Sequence, residues 1–164
     1  MSQKLDSLLS RARSLAERLS WVGPLLVRLS LAAVFIPSGW GKLHDLAKVT
    51  GFFAELGIPI PGVNAAVAST TELVGGVLIL VGLFTRAASL PLAFTMVIAM
   101  VTAKRAEIDG VVSLFAFNEF TYLACFVWFA VAGAGALSLD RLFFGRRVAS
   151  LPKPLLRPPE ARQA

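Results

Sequence analysis

Three ionisable residues, Arg28, Glu72 and Glu119, interrupt or border long apolar runs that offer them no water. A charge inside a bilayer is costly, so one that is retained there pairs, binds or relays a proton. Glu72 is the sharpest case. Ala65, Ala68, Ser69, Glu72, Gly75 and Gly76 recur at spacings of 3, 1, 3, 3 and 1, which on a helix makes one narrow face of small side chains with a carboxylate in its middle. Such a face points into a bundle, where Glu72 needs a cation or a proton because desolvation disfavours the bare carboxylate. Arg28 is the predicted cation. Counted from Trp21 and Phe84 as a common plane, the two residues differ in depth by about five residues, roughly 7–8 Å, which extended side chains can close. The pair reads either as a register lock between helices or as the lining of a quinone or small-molecule pocket. Glu119 follows Asn118, a predicted helix cap, and its first-turn position favours negative charge. Tyr122, Phe126, Phe129 and Gly133 continue the same side, making Glu119 and Tyr122 candidates for the polar mouth of an aromatic-lined cavity.

The elements that must position these residues follow from hydropathy. Of 164 residues, 56% are hydrophobic and 16% charged, with a mean hydropathy of +0.72. That composition excludes an ordinary water-soluble domain. A helix crossing about 30 Å of hydrocarbon needs about 20 apolar residues, and four stretches, at about 21–41, 63–84, 87–103 and 115–137, meet or approach that length. The predicted fold is therefore all-α: an antiparallel four-helix membrane bundle over residues 21–140. Trp21 and Trp40 bracket the first span as interfacial anchors. Only Thr85 and Arg86 separate the second and third spans, so those helices are antiparallel neighbours. Within the first span Pro37 predicts a kink.

Residues 1–20 carry Leu5, Leu8, Leu9, Leu15 and Leu19 on one helical stripe with Lys4, Arg11 and Arg18 opposite, the pattern of an amphipathic helix lying on a membrane surface. In the first loop Asp45 is a predicted N-cap for a short helix that Gly57, Pro59 and Pro61 end. Residues 141–164, basic and proline-rich, read as a disordered tail near anionic lipid. With the N-terminus inside, eleven Lys and Arg lie on the cytoplasmic side against Lys42, Lys48, Lys104 and Arg105 outside, so both termini are expected in the cytoplasm. The formal charge of +6 reads the same way, as orientation and lipid contact, with no nucleic-acid partner expected.

His44 is the only histidine and Cys125 the only cysteine, which leaves no multi-histidine haem or metal site and no dithiol couple within one chain. There is no glycine-rich phosphate loop.

The run 28–42 ending in Gly-Trp-Gly-Lys-Leu, the segment Gly57-Ile-Pro, the stretch from Glu72 through Gly75-Gly76 to Gly82-Leu-Phe-Thr-Arg86, and Gly133-Ala-Gly135 followed by Ser138-Leu-Asp140 together resemble the DoxX family of small bacterial four-span membrane proteins. The resemblance covers about residues 22–142, and Arg28, Lys42, Glu72, Arg86, Glu119 and Asp140 are the matching charged positions. It implies an inner-membrane protein, some of whose relatives look like membrane subunits of quinone-linked oxidoreductases. The expected function is accordingly a quinone-associated subunit that holds no metal or covalent cofactor and takes electrons from a partner protein. The alternative is a non-catalytic scaffold or small-solute carrier.

Overall fold

Apolar stretches punctuated by glycine and proline fold into helices and loops, without a strand, among the residues described in this computed structural model, which are 2–148 for the backbone and 8–143 for side chains. In chain order the helices are α1 Ser2–Leu19, α2 Val22–His44, α3 Leu46–Glu55, α4 Pro61–Val81, α5 Thr85–Thr102, α6 Val111–Ala116, α7 Asn118–Ala132 and α8 Leu139–Val148, with a 3₁₀ turn at Arg105–Glu107. Three helical segments, one containing α2 and the others α4 and α5, are long and apolar enough to cross a membrane, and α7 is a shorter apolar helix.

The core lies where four helices converge. Leu31 and Phe35 of α2, Ile79 of α4, Leu92 and Met96 of α5, and Phe126 and Phe129 of α7 form one buried cluster. Phe35 meets the edges of Phe126 and Tyr122 at ring-centroid separations of 5.0 and 5.3 Å, a geometry that suits the aromatic quadrupoles. Tyr122 is therefore part of the packing between α2 and α7.

The register of α2 against α4 is set by contact between backbones. A Cβ on Gly39 would collide with Leu73 N and would lie 2.8 Å from Leu73 Cα and from Ser69 O, so only glycine fits. Gly76 repeats the contact further along, against Phe35 and Ile36. These two points fix an antiparallel alignment in which Ser38 stands opposite Glu72, and Arg28 reaches Gly82, ten residues beyond Glu72 on the chain. Gly39→Ala is expected to lower stability by about 1–3 kcal/mol, the usual cost of overpacking. Thermal unfolding in detergent checks this, with Gly41→Ala, where a Cβ meets nothing, as the silent control.

Three elements differ from the sequence expectation. The fourth apolar stretch is broken: Phe117 is extended at ψ 139, separating α6 from α7. Asn118 is the first helical residue of α7, and Phe117 precedes it as the cap residue without a side-chain hydrogen bond. At its other end α7 stops at Ala132 because Gly133, at φ +81, turns the chain. Residues 141–148, expected to be tail, continue α8, whose start is tied by Ser138 Oγ accepting from Arg141 N at 3.2 Å. The remainder of the expected tail, 149–164, lies outside the described residues. Along α1 every described side chain is exposed, Leu8, Leu9, Leu15 and Leu19 among them.

Candidate functional site

Ser38 and Lys42 are one turn apart on α2 and so share a face. That face is turned to Glu72 by the Gly39 contact. Ser38 Oγ donates to Glu72 Oε2 at 2.8 Å, and Lys42 Nζ donates to Oε1 and Oε2 at 2.6 and 2.7 Å. The ammonium is charge-matched to the carboxylate, so these are the short, strong class of hydrogen bond. Glu72 is almost fully enclosed, its side chain 7% exposed, whereas Lys42 is 39% exposed. The carboxylate is thus an internal anchor, and the ammonium stands at an edge where it can meet something else.

That edge is the wall of a cavity of about 930 Å³ at the α3 end of the bundle. Lys42 and Glu72 line it together with Thr71. Phe52 and Phe53 of α3, with Leu56 just past its end, line one side, and Pro91, Phe94, Thr95 and Ile98 of α5 line another. Asp45, Lys48 and Asn64 add further polar groups to the lining. α3 holds its place because Asp45 Oδ1 caps it, accepting from Lys48 N at 3.2 Å as its sequence position predicts, and because α3 packs along α4. The cavity lies within the roughly 300–1,000 Å³ typical of small-molecule sites and has their composition, mostly apolar with a few convergent polar groups.

The expected Arg28–Glu72 pair does not form. Arg28 binds backbone: Nε donates to Ile79 O at 2.8 Å, Nη2 to Leu80 O at 2.5 Å, and Nη1 to Leu137 O and, at 3.4 Å, Ala134 O. A cation is favoured at the Ile79 and Leu80 carbonyls because they close the C-terminus of α4, and the other two carbonyls belong to the segment between α7 and α8. Asp140 complements it. Its carboxylate accepts from Phe84 N at 2.6 Å and Thr85 N at 2.9 Å, capping α5, while its own N–H donates to Gly82 O at 2.8 Å. Gly82 sits at φ +67 against Arg28 and Ser138, where a side chain would be strained and obstructed. Arg28 and Asp140 therefore tie the turn end of the bundle, remote from the cavity.

Of the other candidates, Arg86 is exposed beside this turn, and Glu119 lies in the first turn of α7. Neither Glu119 nor Tyr122 lines the cavity, so the aromatic walls come from α3 and α5 instead of α7. Lys104, beyond the end of α5, is held above the ordinary lysine range by a hydrogen bond from Nζ to Glu107 at 3.0 Å and by that carboxylate's charge. Sequence reasoning noted Lys42 without finding its partner, although the Ser38–Lys42 spacing of four, with Gly39 between them, marked a donor face in close contact with another helix.

The sequence model of the DoxX family matches residues 23–105. The chain is 33% identical to the inner membrane protein YqjF of Escherichia coli (strain K12) over 127 residues, which is 77% of this chain and 95% of the relative. It is 32% identical to a Bacillus subtilis (strain 168) protein named "Putative oxidoreductase CatD", covering 75% of this chain and 88% of that one. The inner membrane protein YphA of Escherichia coli (strain K12) is 28% identical over 71% of this chain and 87% of its own length. No solved structure matches the chain at a significant level.

Proposed function

We propose that this chain, which belongs to the DoxX family of membrane proteins, is the quinone-associated subunit of a membrane redox system and draws its electrons from a partner protein. The observation that carries the reading is the Lys42–Glu72 pair, braced by Ser38, in the lining of a mostly apolar cavity that includes Phe52, Phe53 and Phe94. Reduction of a quinone consumes two electrons, supplied by the partner, and two protons, and it places negative charge on a carbonyl oxygen before the proton arrives. Lys42, held by the buried carboxylate and half-open to the cavity, donates a hydrogen bond where that charge develops. The apolar walls exclude water and hold the ring. The oxidoreductase label of the Bacillus subtilis relative supports a redox role. The chain is expected in the bacterial inner membrane with four crossings, the fourth made by α6 and α7 together, and both termini in the cytoplasm.

The test is purification of the full chain in mild detergent, identification of copurifying quinone by mass spectrometry, and calorimetric titration with a short-tailed quinone. The paired neutral variant, Lys42→Met with Glu72→Gln, is expected to bind roughly 10-fold or more weakly, the value of one hydrogen bond from a charged donor. No copurified quinone together with no saturable binding by the wild-type chain would overturn the reading in favour of a scaffold or small-solute carrier.

A further inference from the structure

A second groove, of about 550 Å³, lies at the opposite end of the bundle from the cavity, between the α4–α5 turn and the segment joining α7 to α8. Its charged lining is Arg86, Asp140 and Arg141. The carboxylate of Asp140 is engaged by the amides of Phe84 and Thr85, so it is committed to the turn. Among the described residues neither the Arg86 nor the Arg141 guanidinium forms an ion pair or side-chain hydrogen bond, and both are exposed. The groove is thus a preformed concavity with two guanidiniums to spare. Arg28 donates to the carbonyl of Ala134, one of its lining residues, and to that of Leu137 nearby.

We propose that this groove binds the phosphate of an anionic phospholipid, with Arg86 and Arg141 as its two ligands. Guanidinium groups match phosphate oxygens in charge and in fork geometry. The neighbouring surface selects a lipid over a free anion. Phe84, Leu137 and Leu142 are each more than half exposed, and acyl chains beside the bound headgroup would cover them. The height is also appropriate: α5 starts at Thr85 and α7 ends at Ala132, so the groove sits where the apolar helices end and the headgroup layer begins. The lipid would bridge the α4–α5 turn and α8, two parts of the chain otherwise joined there through Asp140 and Arg28.

Native mass spectrometry of the full chain in detergent, titrated with phosphatidylglycerol or with phosphatidylcholine of the same acyl chains, tests the site. Wild type is expected to retain phosphatidylglycerol preferentially, and Arg86→Gln with Arg141→Gln to weaken that retention roughly 30-fold, the effect of two basic residues near an anionic lipid. Arg141→Gln alone, whose side chain ties nothing in the bundle, is expected to weaken it roughly 5-fold. Lys104→Gln, whose ammonium is already paired with Glu107 beyond the far end of α5, is expected to leave it unchanged. Equal retention of the two lipids, or retention by the double groove variant equal to wild type, would overturn the proposal. So would displacement of the lipid by inorganic phosphate at equal concentration, which would identify a site for the free anion.

Discussion

Arg28→Met is expected to destabilise the bundle by on the order of 4 kcal/mol, because one side chain satisfies carbonyls on two separate segments and each hydrogen bond from a charged donor is worth about 1.5–3 kcal/mol. The losses do not simply add, since solvent reaches part of the turn end once the side chain is gone. Arg28→Lys is expected to recover less than half of the deficit. A lysine keeps the charge favoured at the C-terminus of α4 but has a single ammonium, which cannot serve carbonyls on opposite sides of a planar fork. Thermal unfolding of both variants in one detergent measures this. A lysine variant as stable as wild type would show that charge alone suffices. A double-mutant cycle between Arg28 and Glu72 is expected to be additive, as is usual for sites far apart with no shared partner.

The second large effect is an asymmetry. Lys42→Met leaves Glu72 as an uncompensated carboxylate 7% exposed, and is expected to cost about 3–5 kcal/mol. Glu72→Gln leaves an ammonium that is 39% exposed and can turn to water, so its cost is expected to be about 1–2 kcal/mol, close to that of one buried hydrogen bond. Replacing both together is expected to restore most of the Lys42→Met loss. Melting curves for the two single variants and the double variant decide the matter, and equal losses from the single variants would contradict the burial difference on which the asymmetry rests.

The first three apolar helices of the bundle were legible in the sequence because apolar length and small-residue spacing are local properties, whereas the break at Phe117 lay inside an apolar run that hides it. Glu72 was legible for the same reason: a carboxylate centred on Ala65, Ser69, Gly75 and Gly76 has to face another helix. Its partner was not, because pairing depends on the register between α2 and α4. Taking Trp21 and Phe84 as one plane put Arg28 within reach, whereas the Gly39–Leu73 contact slides α4 so that Arg28 lies beside Gly82, roughly 15 Å of helix from Glu72. A slide of this size replaces one cation by another without altering any hydrophobic pattern. Arg28 itself was misread for a related reason. Its partners are main-chain carbonyls, which every residue carries and no sequence pattern reveals. The cavity was hidden likewise, since Phe52, Phe53 and Phe94 become walls only when α3 folds back along α4.

The turn between α4 and α5 has an implication for how the protein is made. Its two central amides are capped by a carboxylate 55 and 56 residues later in the chain, and the arginine beneath it reaches carbonyls up to 109 residues away. Synthesis proceeds from the N-terminus. A nascent chain released after α7 but before Asp140 would hold every helix of the core cluster and still have one end of the bundle unlaced, with Phe84 at φ +48 lacking the carboxylate that accepts from its amide. The α4–α5 turn therefore gains its carboxylate cap only after every helix of the core cluster has been made, so its closure is late in synthesis whatever the order in which the helices pack.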